Sequence, residues 1–331
     1  MRSGRTSAEE SAITLHEFDV PRGTRPHDVA CAPDGTVWYT AQGSGELGLL
    51  DPVTGETRLV ALGRGSSPHG VILGPDGAPW VTDSGLNAIV RVDPLSFDVV
   101  TFGLPGPNAN LNTATFDQRG RLWFTGQTGY YGRLDPSTGA MDVWNAPRGR
   151  GPYGICTAPD GSVYYAALAS SYVGKIDLDS GEVTILEPPT RNQGARRVWA
   201  DTLSNIWVSE WNTGAVARYA PETGEWTEWT LPGRPPQAYS VYVDDRNGVW
   251  LSEWSTNSMV RFNPASETFD VFPIPTAGAQ VRQMLGRPGE VWGAESARDK
   301  LLLVRLEAQA ERAAAHLNSE TRFTPGALRH P

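Results

Sequence analysis

The sequence is poor in cysteine and in basic clusters. Its only two cysteines, Cys31 and Cys156, lie far apart in unlike local contexts, so we expect reduced, mostly buried thiols rather than a disulfide or a metal site. Lysine and arginine never form a run, and 28 basic against 37 acidic residues give a formal net charge of −9. Binding of nucleic acid through a basic surface is therefore not expected.

Long apolar segments are also missing. Residues 1–15 lack the apolar core of a signal peptide, and no window approaches the roughly 18 apolar residues that a membrane-spanning helix needs. We therefore predict a cytoplasmic protein with no membrane segment. Charged residues make up only 20% of the chain, whereas it has 12 Trp, 36 Gly and 26 Pro, so we expect a large, turn-rich core rather than a disordered chain or a helical bundle.

A repeat accounts for these turns. Triplets with a central aromatic residue, here called the marker residue, recur seven times at spacings of 41 to 43 residues. The markers are Trp38, Trp80, Trp123, Tyr164, Trp207, Trp250 and Trp292. Each repeat carries four short strand-like runs separated by turn signals such as Pro-Asp-Gly, which is typical of a β-propeller blade. The sequence therefore predicts an all-β fold, a seven-bladed β-propeller with four-stranded blades.

The two ends of the chain are predicted to close the ring. The last repeat has only three clear strands, whereas residues 14–20 match the fourth strand of other repeats. The N-terminal strand is therefore expected to complete blade seven, so that residues 1–306 form one propeller without an open sheet edge. Residues 307–331 are interpreted as a C-terminal tail whose Ala-rich part favours a helix.

Two positions of each repeat are expected at one end of the propeller axis, here called the mouth, because the innermost strand begins where the second strand ends. The first set, the axial ring, lies eleven residues before the marker, or ten in blade seven. The axial ring comprises His27, His69, Asn112, Tyr153, Arg196, Tyr239 and Arg282. The second set, the rim positions, lies three residues after the marker and comprises Ala41, Asp83, Gly126, Ala167, Glu210, Glu253 and Glu295.

The axial histidines allow two interpretations. His27 and His69 occupy equivalent positions in adjacent blades, with the similar contexts Arg-Pro-His-Asp-Val and Ser-Pro-His-Gly-Val. Imidazole titrates near neutral pH, so the pair is a candidate acid/base or metal site. Alternatively, both rings belong to a repeat consensus and only cap the channel.

The rim and the residues beyond it are equally ambiguous. The rim carboxylates are candidate oxygen ligands for a divalent cation, or they pair with Arg196 and Arg282 as braces between blades. Trp211 and Trp254 follow two of these carboxylates, and they form either an apolar wall for a ligand or a contact between blades.

Several motifs resemble a known family. Blade two contains Pro-His-Gly-Val, Pro-Asp-Gly, Trp-Val-Thr-Asp and Ile-Val-Arg-Val, and blades five and six contain Trp-Val-Ser-Glu-Trp-Asn and Trp-Leu-Ser-Glu-Trp-Ser. Over residues 14–305 the chain resembles the streptogramin B lyases, also called virginiamycin B lyases. The resemblance implies a seven-bladed propeller that opens a cyclic depsipeptide antibiotic by elimination, and hence a role in antibiotic resistance. It also implies a histidine base and a magnesium ion held by glutamates, which polarises the carbonyl group.

The resemblance assigns residues in two ways. In register, the family's histidines fall on Tyr239 and Arg282, and its metal carboxylates fall on Gln280 and close to Glu295. In this register the catalytic base is absent, since arginine stays protonated.

A rotated alignment matches the family's histidine pair with His27 and His69 instead. It places Asp83 near one metal carboxylate and Ser67 at the position of the other. It therefore implies His69 as the base and His27 as the group that orients or polarises the substrate.

Taken together, these patterns predict a monomeric, metal-assisted carbon–oxygen lyase that opens an ester or lactone by β-elimination. The expected cofactor is a divalent cation, magnesium, held by Asp83, Glu253 and Glu295. The small-molecule substrate is expected to contact Asn112, Tyr153, Arg196, Tyr239, Arg282, Trp211 and Trp254. Two alternatives stay open: a propeller lactonase or esterase with a divalent cation on the axis, and a non-catalytic propeller that binds a small molecule or a protein.

Overall fold

A computed structural model describes residues 13–306, which form seven antiparallel sheets of four strands each. Blade one contains β2 (Pro26–Cys31), β3 (Val37–Ala41), β4 (Glu46–Leu50) and β5 (Thr57–Ala61). Blade two contains β6 (Pro68–Leu73), β7 (Pro79–Asp83), β8 (Ala88–Val92) and β9 (Val99–Gly103). Blade three contains β10 (Leu111–Phe116), β11 (Leu122–Gly126), β12 (Tyr130–Leu134) and β13 (Met141–Asn145). Blade four contains β14 (Pro152–Thr157), β15 (Val163–Ala167), β16 (Tyr172–Ile176) and β17 (Val183–Leu186).

The remaining blades follow the same order from the axis outward. Blade five contains β18 (Ala195–Ala200), β19 (Ile206–Glu210), β20 (Ala215–Ala220) and β21 (Glu225–Thr230). Blade six contains β22 (Ala238–Val243), β23 (Val249–Glu253), β24 (Ser258–Asn263) and β25 (Thr268–Pro273). Blade seven contains β26 (Val281–Arg287), β27 (Glu290–Glu295), β28 (Lys300–Leu306) and, as its outer strand, β1 (Ile13–Asp19).

Blade seven joins the two ends of the described chain. Strand β1 pairs antiparallel with β28, from Ile13 opposite Leu306 to Asp19 opposite Lys300. The innermost strands contact those of both neighbouring blades around the whole ring, including β2 with β26. The predicted all-β, seven-bladed propeller and its closure by the N-terminal strand are thus confirmed.

The marker residues form the core of each blade. All seven lie on the second strand with at most 3% of their surface exposed. In blade three, Trp123 stacks on Trp144 of the outer strand at a centroid distance of 5.7 Å. Its indole N–H also donates a 2.8 Å hydrogen bond to Asp117 in the preceding turn. The repeated turn and the repeated aromatic residue therefore support each other. The equivalent bond links Trp207 with Asp201 and Trp250 with Asp244.

Every innermost strand is irregular at its start. In β2, Pro26 pairs with Ala41, but the next regular pair is Val29 with Tyr39. The same register shift follows the first residue of the other six innermost strands. A bulge of this kind re-aims side chains and is common beside functional sites. Each residue of the axial ring is the second residue of its innermost strand, so it lies within the bulge.

The opposite end of the axis is different in character. There the innermost strands end around a cavity of about 390 Å³, lined mainly by apolar side chains that include Phe116, Trp199 and Leu285. The histidines, tyrosines and arginines of the axial ring lie instead at the mouth, where the strands begin.

The other structural expectations concern the cysteines, the membrane and the tail. Cys31 and Cys156 are free thiols, half-buried and buried respectively. Within residues 13–306 no helix is long and apolar enough to cross a membrane. Residues 1–12 and the predicted tail at 307–331 lie outside the described residues.

Candidate functional site

The structure gathers the axial ring at the mouth. The hydroxyl oxygens of Tyr153 and Tyr239, on blades four and six, lie 3.0 Å apart. Arg282 of blade seven donates a 2.9 Å hydrogen bond from Nη1 to the Tyr239 hydroxyl. The rings of His27 and His69 are 3.9 Å apart between centroids. Side chains far apart in sequence thus form one cluster, as predicted from the repeat.

His27 forms a pair with the residue that follows it. Its Nδ1 lies 2.6 Å from Oδ1 of Asp28, and both side chains are at most 2% exposed. A carboxylate only accepts hydrogen bonds, so Nδ1 carries the proton and Nε2 keeps its lone pair. Nε2 lies 3.4 Å from Nη1 of Arg282. The lone pair of Nε2 therefore accepts a long hydrogen bond from Arg282, on the arginine side of the cluster.

His69 is bonded differently. Its Nδ1 donates to the backbone carbonyl of Asn112 at 3.0 Å, and its Nε2 accepts from the Asn112 side-chain amide at 3.2 Å. The ring is 5% exposed and contacts Tyr153 edge-on. Both ring nitrogens are therefore occupied by blade three, which leaves His69 with no free lone pair for a substrate.

A second layer of polar side chains lies directly beneath the axial ring and was missed by the sequence reasoning. Arg197, from blade five, reaches across the axis to Asp28 of blade one, with 3.3 Å between Nη2 and Oδ1. It also donates to the hydroxyl of Thr113 in blade three. Arg197 is 1% exposed, so this is a fully buried ion pair. A usable signal was present: a charged residue directly after the axial position, inside an otherwise apolar strand.

Aromatic rings hold the arginines of the axial ring. The Arg196 guanidinium lies 3.7 Å from the Tyr239 ring centroid, and Trp254 stacks nearly parallel on the Tyr239 ring at a centroid distance of 4.5 Å. Trp211 contacts Tyr239 and Trp254 edge-on. Arg282 lies 5.4 Å from the Trp254 centroid. Trp211 and Trp254 therefore form a contact between blades five and six, with arginines packed against it.

Burial and the arginines set the protonation states. Burial, together with Arg282, Arg197 and Arg196, lowers the pKa of His27 well below its usual value. Burial and the neighbouring His27 do the same for His69. Both imidazoles are therefore neutral near pH 7.

Tyr239 shows the opposite balance for an acidic group. Burial raises its pKa, but the Arg196, Arg282 and Arg197 guanidiniums outweigh that effect and lower it to about 8. Burial and the adjacent Tyr239 raise the pKa of Tyr153 to about 12. Of the two tyrosines, Tyr239 is thus the one that can ionise near physiological pH.

Two of the predicted metal ligands are engaged by the loops of their own blades. Asp83 accepts hydrogen bonds from the backbone N–H groups of Ser67, Gly85 and Leu86 at 2.9–3.0 Å. Glu253 accepts equivalent bonds from Gln237, Ser255 and Thr256 at 2.7–3.0 Å. These carboxylates cap the loops around the mouth. Among the described residues, neither of them forms a salt bridge with Arg196 or Arg282.

The other two acidic rim residues are buried without a full set of partners. Both oxygens of Glu295 and Oε1 of Glu210 lack a hydrogen-bond partner of normal geometry among the described residues. Burial and the nearby Glu17 raise the pKa of Glu295 to about 8. Burial and Glu228 raise the pKa of Glu210 to about 8 as well. At neutral pH these groups are therefore mostly protonated.

The residues at the mouth do not fit the divalent cation that the resemblance implies. Asp83, Glu253 and Glu295 do not form a common ligand group. Within residues 13–306, the one set of three potential ligand groups is His27, Asp28 and His69, with ligand atoms within 4.8 Å of one another. Magnesium prefers oxygen ligands, and this set offers one carboxylate.

Two positively charged guanidinium groups already lie next to these three side chains. Arg197 and Arg282 lie within 3.3–3.4 Å of Asp28 and His27. A metal ion would meet both guanidiniums in a poorly screened interior. Within this cluster, Arg196, Arg197 and Arg282 against the carboxylate of Asp28 give a formal charge of +2, in a chain whose net charge is −9.

These features define a seven-bladed β-propeller with a buried arginine, histidine and tyrosine cluster at one end of its axis. The family model described as the virginiamycin B lyase family matches residues 13–301, so the chain belongs to that family. A search of curated protein sequences gave no significant match.

Solved structures support the fold. A streptogramin B lyase superposes with a TM-score of 0.82 at 20% identity, covering 89% of this chain and 98% of the other. Virginiamycin B lyase from Staphylococcus aureus gives 0.80 at 20% identity, covering 89% and 100%. A catalytically inactive histidine-to-alanine variant of the S. aureus enzyme, with quinupristin, gives 0.81 at 21% identity with the same coverage.

Proposed function

We propose that this protein is a carbon–oxygen lyase of the streptogramin-lyase type, which opens an ester or lactone by β-elimination at the mouth. The main support is the His27–Asp28 pair, whose 2.6 Å hydrogen bond fixes the proton on Nδ1 and leaves Nε2 as the basic atom, which faces the partly exposed Arg282. Family membership supports the reaction class, and the loss of one histidine inactivates the S. aureus relative.

The proposed step uses only groups of this chain. Nε2 of His27 removes the proton from the carbon α to a carbonyl group, and that electron pair forms a double bond to the β carbon. The bond from the β carbon to the ester oxygen breaks, and its electron pair stays on the departing carboxylate. Asp28 stabilises the imidazolium that forms, and Arg282 stabilises the negative charge that develops on the carbonyl oxygen.

This assignment moves the role of the base from His69, where the rotated alignment predicted it, to His27. His69 was expected to be the base, but Asn112 occupies both of its ring nitrogens. His27 is itself only 2% exposed, whereas Arg282 is partly exposed. The substrate therefore approaches Nε2 from the side on which Arg282 lies.

The test is product analysis with quinupristin, the depsipeptide bound to the S. aureus relative. Elimination leaves an alkene that absorbs in the ultraviolet, and it takes up no oxygen from ¹⁸O-labelled water. Because a positioned base contributes roughly 10²–10⁴-fold, His27→Ala should lower kcat by at least about a hundredfold. His16→Ala, on the exposed outer strand β1, is the matched control and should leave the rate unchanged.

The alternatives give different results in the same assay. Uptake of labelled oxygen identifies a hydrolase. Unchanged elimination by His27→Ala contradicts the assigned base.

A non-catalytic propeller is the second candidate, favoured by the burial of both histidines beneath partly exposed arginines. It predicts that a ligand raises the melting temperature while no product forms.

A further inference from the structure

Arg196 and Arg282 are the charged side chains of the axial ring that remain partly exposed, whereas the other five members are at most 5% exposed. A ligand that enters the mouth therefore meets these two guanidiniums before it meets the histidines. Both are held in place. Arg196 donates to the Tyr153 hydroxyl at 2.9 Å, and Arg282 donates to Ser296 at 2.7 Å and to Tyr239 at 2.9 Å.

Neither guanidinium has a carboxylate partner among the described residues. The one carboxylate of the cluster, Asp28, is taken by His27 and Arg197. Arg196 meets only hydroxyls and aromatic faces, and its buried Nε has no hydrogen-bond partner among the described residues. Cations held this way in a low-dielectric site bind an incoming anion strongly, because charge-assisted bonds are about twice as strong as neutral ones.

Apolar walls flank the same two guanidiniums. Trp211 and Trp254 are half-buried and meet edge-on at 5.3 Å. Arg196 lies 4.9 Å from the Trp211 ring centroid, and Arg282 lies 5.4 Å from that of Trp254. A ligand that fits this arrangement has an anionic group next to an aromatic or apolar body.

We infer that Arg196 and Arg282 bind a carboxylate group of the ligand at the mouth, and that no divalent cation takes part. Resting on the proposed function, this assigns the site to the carboxylate that departs when the ester bond breaks. The arginines then stabilise the leaving group as it gains charge, and they hold the acid product after the reaction. Arg282 also faces the carbonyl oxygen of the proposed step, where it supplies the positive charge that the resemblance assigns to a metal ion.

Binding without turnover tests the inference. Phenylacetate and phenylacetamide have the same aromatic body, but only the first is an anion. Isothermal titration of the full chain in the presence of EDTA should show phenylacetate binding at least tenfold more tightly. Arg196→Gln or Arg282→Gln should weaken the binding of phenylacetate about tenfold to a hundredfold, the range for a hydrogen bond to a charged group, and should leave the binding of phenylacetamide unchanged. Arg282→Lys, which keeps the charge, should restore part of the affinity.

Arg218→Gln is the matched control. Arg218 is also half-buried and packed between aromatic rings, Trp207 and Trp229, but it lies on the third strand of blade five, away from the mouth. It should leave phenylacetate binding unchanged. Equal affinities for the two probes would overturn the inference, and so would binding that requires added magnesium. If the glutamine variants fail to fold, the comparison of probes on the unaltered protein decides alone.

The binding result is independent of the lyase assay. If the protein binds phenylacetate more tightly than phenylacetamide but does not open quinupristin, the carboxylate site is supported and the proposed reaction is refuted. If it opens quinupristin by elimination but binds both probes equally, the reaction is supported and the carboxylate site is refuted.

Discussion

Glu295 offers the most direct test of how the rim carboxylates behave. It is 0% exposed, both of its oxygens lack a hydrogen-bond partner of normal geometry, and the neighbouring Glu17 adds like-charge repulsion. Burial is the main reason that its pKa rises from 4.5 to about 8. The sequence, by contrast, suggested an ionised ligand for a cation. Replacement by glutamine keeps the shape and removes the ionisation.

The expected magnitude follows from proton linkage. Since the folded pKa is raised, the stabilisation is fully present below pH 4.5 and is lost as the pH rises toward about 8. In that interval the unfolded chain is ionised and the folded protein is not, so each pH unit removes about 1.36 kcal/mol of unfolding free energy. The whole interval is worth about 5 kcal/mol as an order of magnitude. Glu210, with a pKa also near 8, contributes a similar loss.

Urea unfolding between pH 5 and pH 8 measures this loss as a difference between variants, because the lowered pKa values of His27 and His69 act in the opposite direction in both proteins. The unfolding free energy of the unaltered protein minus that of Glu295→Gln should fall by about 4 kcal/mol across the interval. The difference from the double variant with Glu210→Gln should fall by about twice as much. Glu253→Gln is the control at the equivalent rim position. Hydrogen bonds to Thr256 and Ser255 outweigh burial there and lower the pKa of Glu253, so this variant should not flatten the profile.

Two outcomes would refute the reasoning. The first is a Glu295→Gln variant with the same pH profile as the unaltered protein. The second is a stabilisation by magnesium that disappears in this variant, since it would show an ionised, metal-binding carboxylate.

Two further predictions concern Tyr239 and the blade core. Phenylacetate binding should weaken as the pH rises through about 8, because the Tyr239 phenolate then neutralises part of the charge of Arg196 and Arg282. The variant Tyr239→Phe should remove this pH dependence in the same titration. Trp123→Ala should lower the free energy of unfolding by about 3–5 kcal/mol, because it removes a fully buried indole. Trp123→Phe should cost less, since the ring is kept and the hydrogen bond to Asp117 is lost. If the alanine variant lost less than about 1 kcal/mol of unfolding free energy, the marker residues would not be the main stabilising residues of the blade cores.

The sequence was sufficient for the architecture because the repeat is local. The marker Trp250 and its partner Asp244 lie six residues apart, and the same spacing recurs at Trp123 and Trp207. Each copy specifies one blade without reference to the others. The number of blades, the strand order and the second residue of each innermost strand could therefore be predicted from spacing alone.

The same reasoning could not rank the two histidines. His27 and His69 have matching contexts, and their different roles arise from what the next blades present to them. Asn112 occupies both ring nitrogens of His69, whereas Asp28 and the partly exposed Arg282 face the two ring nitrogens of His27. Those partners follow from the packing of blades around the axis, which no local pattern encodes.

By itself, the sequence determined a seven-bladed ring closed by its N-terminal strand and the set of side chains that meet at its mouth, because these follow from a period of 41 to 43 residues. Only the tertiary structure decided which partners the charged side chains have. Asp28 and Arg197 are 169 residues apart in sequence and pair across the axis, while Asp83 and Glu253 turn to backbone N–H groups. The physical reason is burial: a charge inside the ring needs a partner, and closure of the ring determines which partner is within reach.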